Sequence, residues 1–165
     1  MHLARPLLSF LVLTFLVWGA EPTISPLDVN CRKHPGFRIQ QYGKAKKCLN
    51  WRGSGFNFET AKKECEGLGA FLATFKNVDE RRIFFRYLYY GYYWIGLDDL
   101  QQEGVYIWHD DGKPILNMSV FDDFNGPREI CEGEEFNCGM FVAMPQSIIM
   151  TKCAFSAAAI CEVRK

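Results

Sequence analysis

Two stretches of this chain repeat apolar residues every three or four positions, and several shorter ones are apolar almost throughout. Phe58, Ala61, Cys65 and Leu68 share one face of a helix that Asn57 can cap and that Gly67 and Gly69 stop. The run Asn77-Val-Asp-Glu80 has the form of a capping box with acids in the first turn, where they suit the helix dipole. Ile83 with Tyr87, and Phe84 with Leu88, continue it as a second amphipathic stripe, and Gly91 ends it. Trp94-Ile-Gly-Leu97 follows at once as a short strand of buried character.

Other brief apolar runs predict strands at Phe71-Leu72-Ala73, Tyr106-Ile-Trp108, Cys138 to Met144, Ile148 to Met150 and Ala158 to Val163. Two helices of roughly three turns set among short strands predict an α+β domain rather than an alternating parallel one. Residues 113–136 stand apart. They hold Pro114, Gly126, Pro127 and Gly133 and keep no period, and an excursion of that length inside a compact domain is as a rule functional or mobile. Gly67-Leu-Gly69 is not a nucleotide loop, because it follows a helix where a dinucleotide fingerprint needs a strand.

The N-terminal segment has a different pattern. Arg5 supplies a short positive start and Leu7 to Val17 is almost wholly apolar, the form of a secretory signal peptide over residues 1–19. Cleavage after Gly19 suits the small-residue rule better than cleavage after Ala20, which would leave Trp18 three positions back. About 11 apolar residues fall short of the ~20 a spanning helix needs, so no membrane span is expected and the mature chain is expected to be soluble and extracellular. A Pro-containing tail, residues 20–30, then leads to an ordered domain over residues 31–165, one domain's worth of chain.

Without Arg5 the chain carries 18 basic and 19 acidic side chains, which argues against a dedicated nucleic-acid binder. The charge is uneven. Residues 31–52 contain seven Lys/Arg and no acid, while residues 98–135 contain eleven Asp/Glu against Lys113 and Arg128. Either these are two solvated faces or the basic run is a patch for a polyanion such as a sulfated glycan.

Seven cysteines in a secreted domain imply a disulfide framework, and six of them alone allow 15 pairings, so spacing does not choose. The order of landmarks does more. Cys65 on the first helix, Trp94-Ile-Gly-Leu97, Tyr106-Ile-Trp108-His-Asp110-Asp-Gly, Cys138, Cys153 and Ile160-Cys161-Glu162 together resemble the C-type lectin-like fold across residues 31–163. The resemblance implies the pairs Cys65–Cys161 and Cys138–Cys153. It also implies Cys31–Cys48, closing the N-terminal hairpin of long-form members, with Lys46 to Trp51 as the returning strand. Cys65–Cys161 would close the longest loop and constrain the unfolded chain by roughly 4–5 kcal/mol. Trp94 is expected in the core.

Cys131 is left over, which points either to an intermolecular bridge, giving a homo- or heterodimer, or to a free or reshuffled thiol. Its neighbours Glu129, Glu132, Glu134 and Glu135 disfavour a reactive thiolate, and no flanking Cys or His has zinc-ligand spacing.

Lectins of this family hold one Ca²⁺ with oxygens of a Glu-Pro-Asn or Gln-Pro-Asp triplet, a downstream Glu and an Asn-Asp pair before the third core cysteine. Here the triplet reads Gly126-Pro127-Arg128, and the pair reads Ile149-Met150. The proline is kept and its oxygen-bearing neighbours are not. Glu134 or Glu135 could fill the remaining role, but calcium needs six to eight oxygens and Arg128 brings positive charge to the cation's place. The usual calcium–sugar site, and with it any cofactor, is therefore expected to be absent. A structural calcium on Asp122, Asp123 and the glutamates at 129–135 is the alternative to a merely solvated acidic loop.

Other candidates are weaker. Asn117-Met-Ser119 is a glycosylation sequon on the same loop. Tyr87, Tyr89, Tyr90, Tyr92 and Tyr93 are expected mostly to pack against the core or a neighbouring strand, although exposed tyrosines also make rigid protein-binding surfaces. There is no nucleophile elbow and no HExxH, and His34 and His109 have no evident partners, His109 reading as strand-end surface; an enzyme is not expected.

The function expected is a secreted recognition module for a glycan or an extracellular protein. Its loop candidates are Asn125, Arg128, Glu129, Glu132, Glu134 and Glu135. The alternatives are a lectin that hydrogen-bonds glycan directly through Asn125, Arg128 and Glu132, or a toxin-like or matrix-associated dimer linked through Cys131.

Overall fold

A computed structural model of the chain describes residues 24–115, the backbone of 128–129, and residues 135–144 and 146–164. The segments 1–23, 116–127 and 130–134, with residues 145 and 165, therefore lie outside the described residues. So do the leader, Asn117, Asp122, Asp123, Asn125, Gly126, Pro127, Cys131, Glu132 and Glu134.

The described fold opens earlier than Cys31. Helix α1, Pro26–Cys31, forms within the segment read as a tail. Ser25 caps it: its hydroxyl accepts the Asp28 N–H at 3.2 Å while the Asp28 carboxylate accepts the Ser25 N–H at 3.2 Å. Pro26 occupies the first turn, where its missing N–H costs nothing. Four residues of cap and turn chemistry sat in a stretch too short to show a helical period.

Strand β1, Arg38–Tyr42, turns through Gly43-Lys44 into β2, Ala45–Phe56, and the hairpin pairs Tyr42 with Ala45. Helix α2, Phe58–Gly67, starts where the sequence predicts, with the Asn57 carboxamide accepting the Thr60 N–H at 2.9 Å. After β3, Phe71–Leu72, helix α3 spans Val78–Tyr87. Asn77 caps it, its side-chain oxygen accepting the Glu80 N–H at 2.9 Å, but the Glu80 carboxylate accepts from the Asn77 side-chain amide at 3.2 Å and the Lys76 backbone N–H at 2.9 Å rather than from the Asn77 backbone, so the expected capping box is only half made. The helix ends at Tyr87 rather than at Gly91, because Leu88 leaves for an extended conformation and sinks into the core.

Strand β4, Tyr92–Asp98, carries the Trp-Ile-Gly-Leu run. Beyond it lie β5, Ile107–Trp108, β6, Lys113–Pro114, and β7, Arg128–Glu129. The chain closes with β8, Cys138–Val142, β9, Ser147–Thr151, and β10, Ala157–Val163. The sheet runs in the order β1-β2-β10-β4-β8-β9-β7, with β3 on β10 and β5 and β6 branching from β4. Most pairs are antiparallel, but β10–β4 and β7–β9 are parallel, so the architecture is α+β with a mixed, open sheet.

Strand β4 shows why these strands read as solid apolar runs. Successive side chains leave a strand on opposite faces. Trp94 joins Phe58, Ala61, Cys65 and Leu72 in the cluster beneath α2, and its indole N–H donates to the Phe56 carbonyl at 2.8 Å. Ile95 and Leu97 instead join Ile83, Phe84, Phe75 and Trp108 in the cluster beneath α3. A strand covered on both faces has no polar side to alternate with. Gly96 is fixed by proximity: a Cβ there would stand 2.6 Å from the Leu72 carbonyl oxygen. Gly139 is fixed in the same way, 2.5 Å from the Leu97 Cβ.

Three disulfides staple the layers, Cys31–Cys48, Cys65–Cys161 and Cys138–Cys153, the pairs the resemblance implies. Charge pairing resolves part of the basic run at 31–52. Lys47 is buried against Glu162 at 2.8 Å and Glu80 at 3.1 Å. Lys46 meets Asp28 at 3.3 Å and Arg52 meets Glu64 at 2.6 Å. Arg32, Lys33, Arg38 and Lys44 remain on the surface. Among the described residues no helix is long and apolar enough to cross a membrane.

Candidate recognition site

The parallel pairing of β7 with β9 brings together two positions that the sequence holds 21 residues apart. Arg128 stands opposite Ile149 and Glu129 opposite Met150. Arg128 is the last residue of the triplet position, and Ile149-Met150 the pair position, that the resemblance aligns with the calcium-dependent pattern. Here Ile149 is 8% and Met150 3% exposed. The two side chains leave β9 in opposite directions, Ile149 into the cluster around Trp94 and Met150 into the cluster around Ile95 and Leu97. Neither side chain carries an oxygen, and both pack in the core. Among the described residues no three His, Cys, Asp or Glu side chains come together in a group that could hold a metal ion.

Glu135 is the one carboxylate of the predicted loop set whose side chain is described. It lies in an exposed ion pair with Lys152 at 2.6 Å, and the Lys152 ammonium sits 5.4 Å from the centroid of Phe136. The salt bridge occupies the group that could have served as a ligand. Phe136, Thr151, Lys152, Ala154 and Phe155 line a shallow, largely apolar cavity of about 400 Å³.

This cavity continues into an aromatic surface. Phe155, 45% exposed, meets Tyr92 edge-on at 5.7 Å between ring centroids. Tyr89 and Tyr90 are 68% and 74% exposed, and Met144 joins them because the Ala143 N–H donates to the Gly91 carbonyl at 3.0 Å. The expectation that the tyrosines chiefly pack inward is thus corrected. Tyr93 alone of the strand-end group is half-buried; its hydroxyl donates to the Tyr90 carbonyl at 2.8 Å and burial pushes its pKa up. The reason is the early end of α3: Leu88 takes the buried place and the following turn carries its tyrosines outward.

Both histidines have partners, contrary to the reading from sequence. The His34 Nδ1 lies 3.2 Å from the Leu68 carbonyl, and its ring meets Phe37 edge-on. His109 hydrogen-bonds through Nε2 to the Asp98 carboxylate and rests edge-on against Phe58 at 5.3 Å. The signal for that pair was present in the strand pattern. Leu97 pairs with Trp108 in the antiparallel β4–β5 ladder, so Asp98 and His109 fall on one face as diagonal neighbours.

The fold and these positions agree with what the comparisons find. The family model for the lectin C-type domain matches residues 54–163, more than half of the chain, and the chain belongs to that family. Among solved structures, the carbohydrate-recognition domain of the mouse scavenger receptor C-type lectin is 23% identical with a TM-score of 0.58, covering 79% of this chain and 97% of that one. The carbohydrate-recognition domain of cow CD23 is 20% identical with a TM-score of 0.62, covering 79% of this chain and 95% of that one. A calcium-independent type II antifreeze protein is 20% identical with a TM-score of 0.59, covering 78% of this chain and 92% of that one. Among curated protein sequences none matches the chain. At these identities the likeness establishes the fold.

Proposed function

We propose that this chain is an extracellular recognition module that captures its ligand without the calcium–sugar chemistry of its family. One observation carries the reading. Ile149 and Met150, at the two positions where the Asn-Asp oxygens would stand, are buried in the core beside Arg128 and Glu129. Neither side chain offers a hard cation an oxygen. The calcium-independent antifreeze protein supports the view that this fold stands without the ion; it assigns no ligand here.

The capturing surface is the 113–136 loop, with Asn125, Arg128, Glu129, Glu132, Glu134 and Glu135, together with the aromatic face of Tyr90, Tyr92 and Phe155. Rigid aromatic side chains give large contact area at small entropic cost, and Lys152 and Glu135 supply a polar rim. Residues 1–19 direct secretion, Asn117 carries glycan and Cys131 links a second chain. A direct glycan site through Asn125, Arg128 and Glu132 is the second reading, favoured by the same loop position of Arg128.

The test is a multivalent glycan array run in calcium and in chelator side by side, with affinity capture from extracellular protein mixtures under the same two conditions. Binding equal in both conditions, and lost in an Arg128→Ala/Tyr90→Ser variant that still melts normally, is the expected result. Glycan signal in both would select the direct-glycan reading, and protein capture alone the other. Loss of all binding in chelator would overturn the proposal.

A further inference from the structure

Helix α2, β3, the ends of β4 and β5 and the turn at Gly112 line a second cavity of about 380 Å³, within the range of small-molecule sites. Part of its wall is apolar: Phe58, Leu72 and Ile107 are all buried. The Asp98–His109 pair also lines it. Asp98 is fully engaged, since its other oxygen accepts the Leu100 N–H at 3.2 Å.

Two features of the rim bear on what the cavity could hold. Phe71 and Leu100 are exposed, 45% and 55%, and present apolar surface at its mouth. Glu59 and Glu66 also line the cavity, with Lys62 between them on the same helix. Glu59 reaches Lys63 only at 3.5 Å on the exposed surface, and Glu66 has no ion pair among the described residues. Three carboxylates therefore face one ammonium. The lining is anionic with His109 neutral and stays so when it is protonated.

We infer that this cavity binds a small amphipathic cation, a protonated primary amine carrying an aromatic or branched apolar group. The apolar group lies between Phe71 and Leu100 against the buried wall, and the ammonium is held by Glu66 and Glu59. An anion is disfavoured by the net charge, and a fully polar cation would leave the apolar rim in water.

The test titrates phenethylammonium chloride into the ¹⁵N-labelled chain, with 2-phenylethanol and tetramethylammonium chloride as the uncharged and the non-aromatic comparators. Saturable shifts confined to amides around Lys62, Leu100, Gln101 and Gly112, with a dissociation constant near or below about 1 mM, are expected for the amine. Each comparator should bind at least about threefold more weakly, the size of one exposed charge pair. Glu66→Gln and Phe71→Ser, both at exposed positions and so expected to fold, should each weaken the amine by a similar factor. Equal binding of the alcohol, shifts centred elsewhere, no saturation by about 10 mM, or unaltered affinity in both folded variants would overturn the inference.

Discussion

Arg128 stands directly across from Ile149 where β7 runs parallel to β9. The fold has thus kept the backbone meeting on which a calcium site is built while filling the inner strand with core side chains. Restoring the oxygens alone should fail. Ile149→Asn with Met150→Asp places a carboxamide and a carboxylate at positions 8% and 3% exposed, each within an apolar cluster. The expected cost is about 3 kcal/mol or more, read as a lowered urea midpoint, and millimolar calcium should not recover it. Recovery by calcium would mean that the rest of a cation site is present in the loop.

The buried pair of Lys47 and Glu162 gives a second prediction. Glu162 accepts the Lys47 ammonium at 2.8 Å and, through its other oxygen, the Thr74 N–H at 3.1 Å. Glu162→Gln leaves Lys47 with Glu80 alone, so stability should fall by about 2–3 kcal/mol. Adding Lys47→Met removes the stranded charge, and the double variant should cost less than the two single changes together. Strict additivity in a denaturation cycle would show that the pair does not couple.

The three disulfides should differ in value according to the loops they close. Cys65–Cys161 spans 96 residues of sequence and Cys138–Cys153 only 15. In the chain-entropy model these constrain the unfolded state by about 4.7 and 3 kcal/mol. Replacing Cys65 and Cys161 by alanine should therefore lower stability by about 1.7 kcal/mol more than replacing Cys138 and Cys153. Denaturant midpoints of the two double variants decide it; the reverse order would place native-state strain above loop entropy.

Much of this arrangement was legible in the sequence because it rests on local or periodic signals. Asn57 and Asn77 announce helix starts through chemistry that acts three residues ahead. The apolar run at 94–97 announces a strand covered on both sides. What was not legible depends on partners distant in sequence. Lys47 read as one of seven cations in a basic run, yet its neighbours Glu80 and Glu162 lie 33 and 115 residues away. Helix α1 is a single capped turn with no period to detect. The outward tyrosines followed from Leu88 leaving α3 early, a choice made by core packing rather than by the local pattern. His109 and Asp98 were recoverable only after the register of β4 on β5 was known. At the candidate site, Ile149 and Met150 could be aligned with the missing oxygens from their spacing to Cys153, but their burial had to be seen.

The last prediction concerns pH. Lys76 bridges Asp110 at 2.8 Å and Asp111 at 2.5 Å, tying the start of α3 to the turn after β5. Burial works against the Lys76 ammonium, but hydrogen bonds to Asp110 and Asp111 outweigh it and hold its pKa above the ordinary 10.5. The hydrogen bond from Lys76 in turn holds the Asp111 carboxyl below its ordinary 3.8. A carboxyl that titrates lower in the folded chain contributes stability that is complete above 3.8 and is lost as the pH falls through the lower folded value. An ammonium that titrates higher contributes stability that is complete below 10.5 and is lost as the pH rises through the higher folded value. The melting temperature of the native chain minus that of a Lys76→Met variant should thus be level between these limits and shrink beyond both. Both side chains are one-third exposed, so salt should reduce the plateau as well. A difference that grows in acid would show that the ion pair is not the source of the stability.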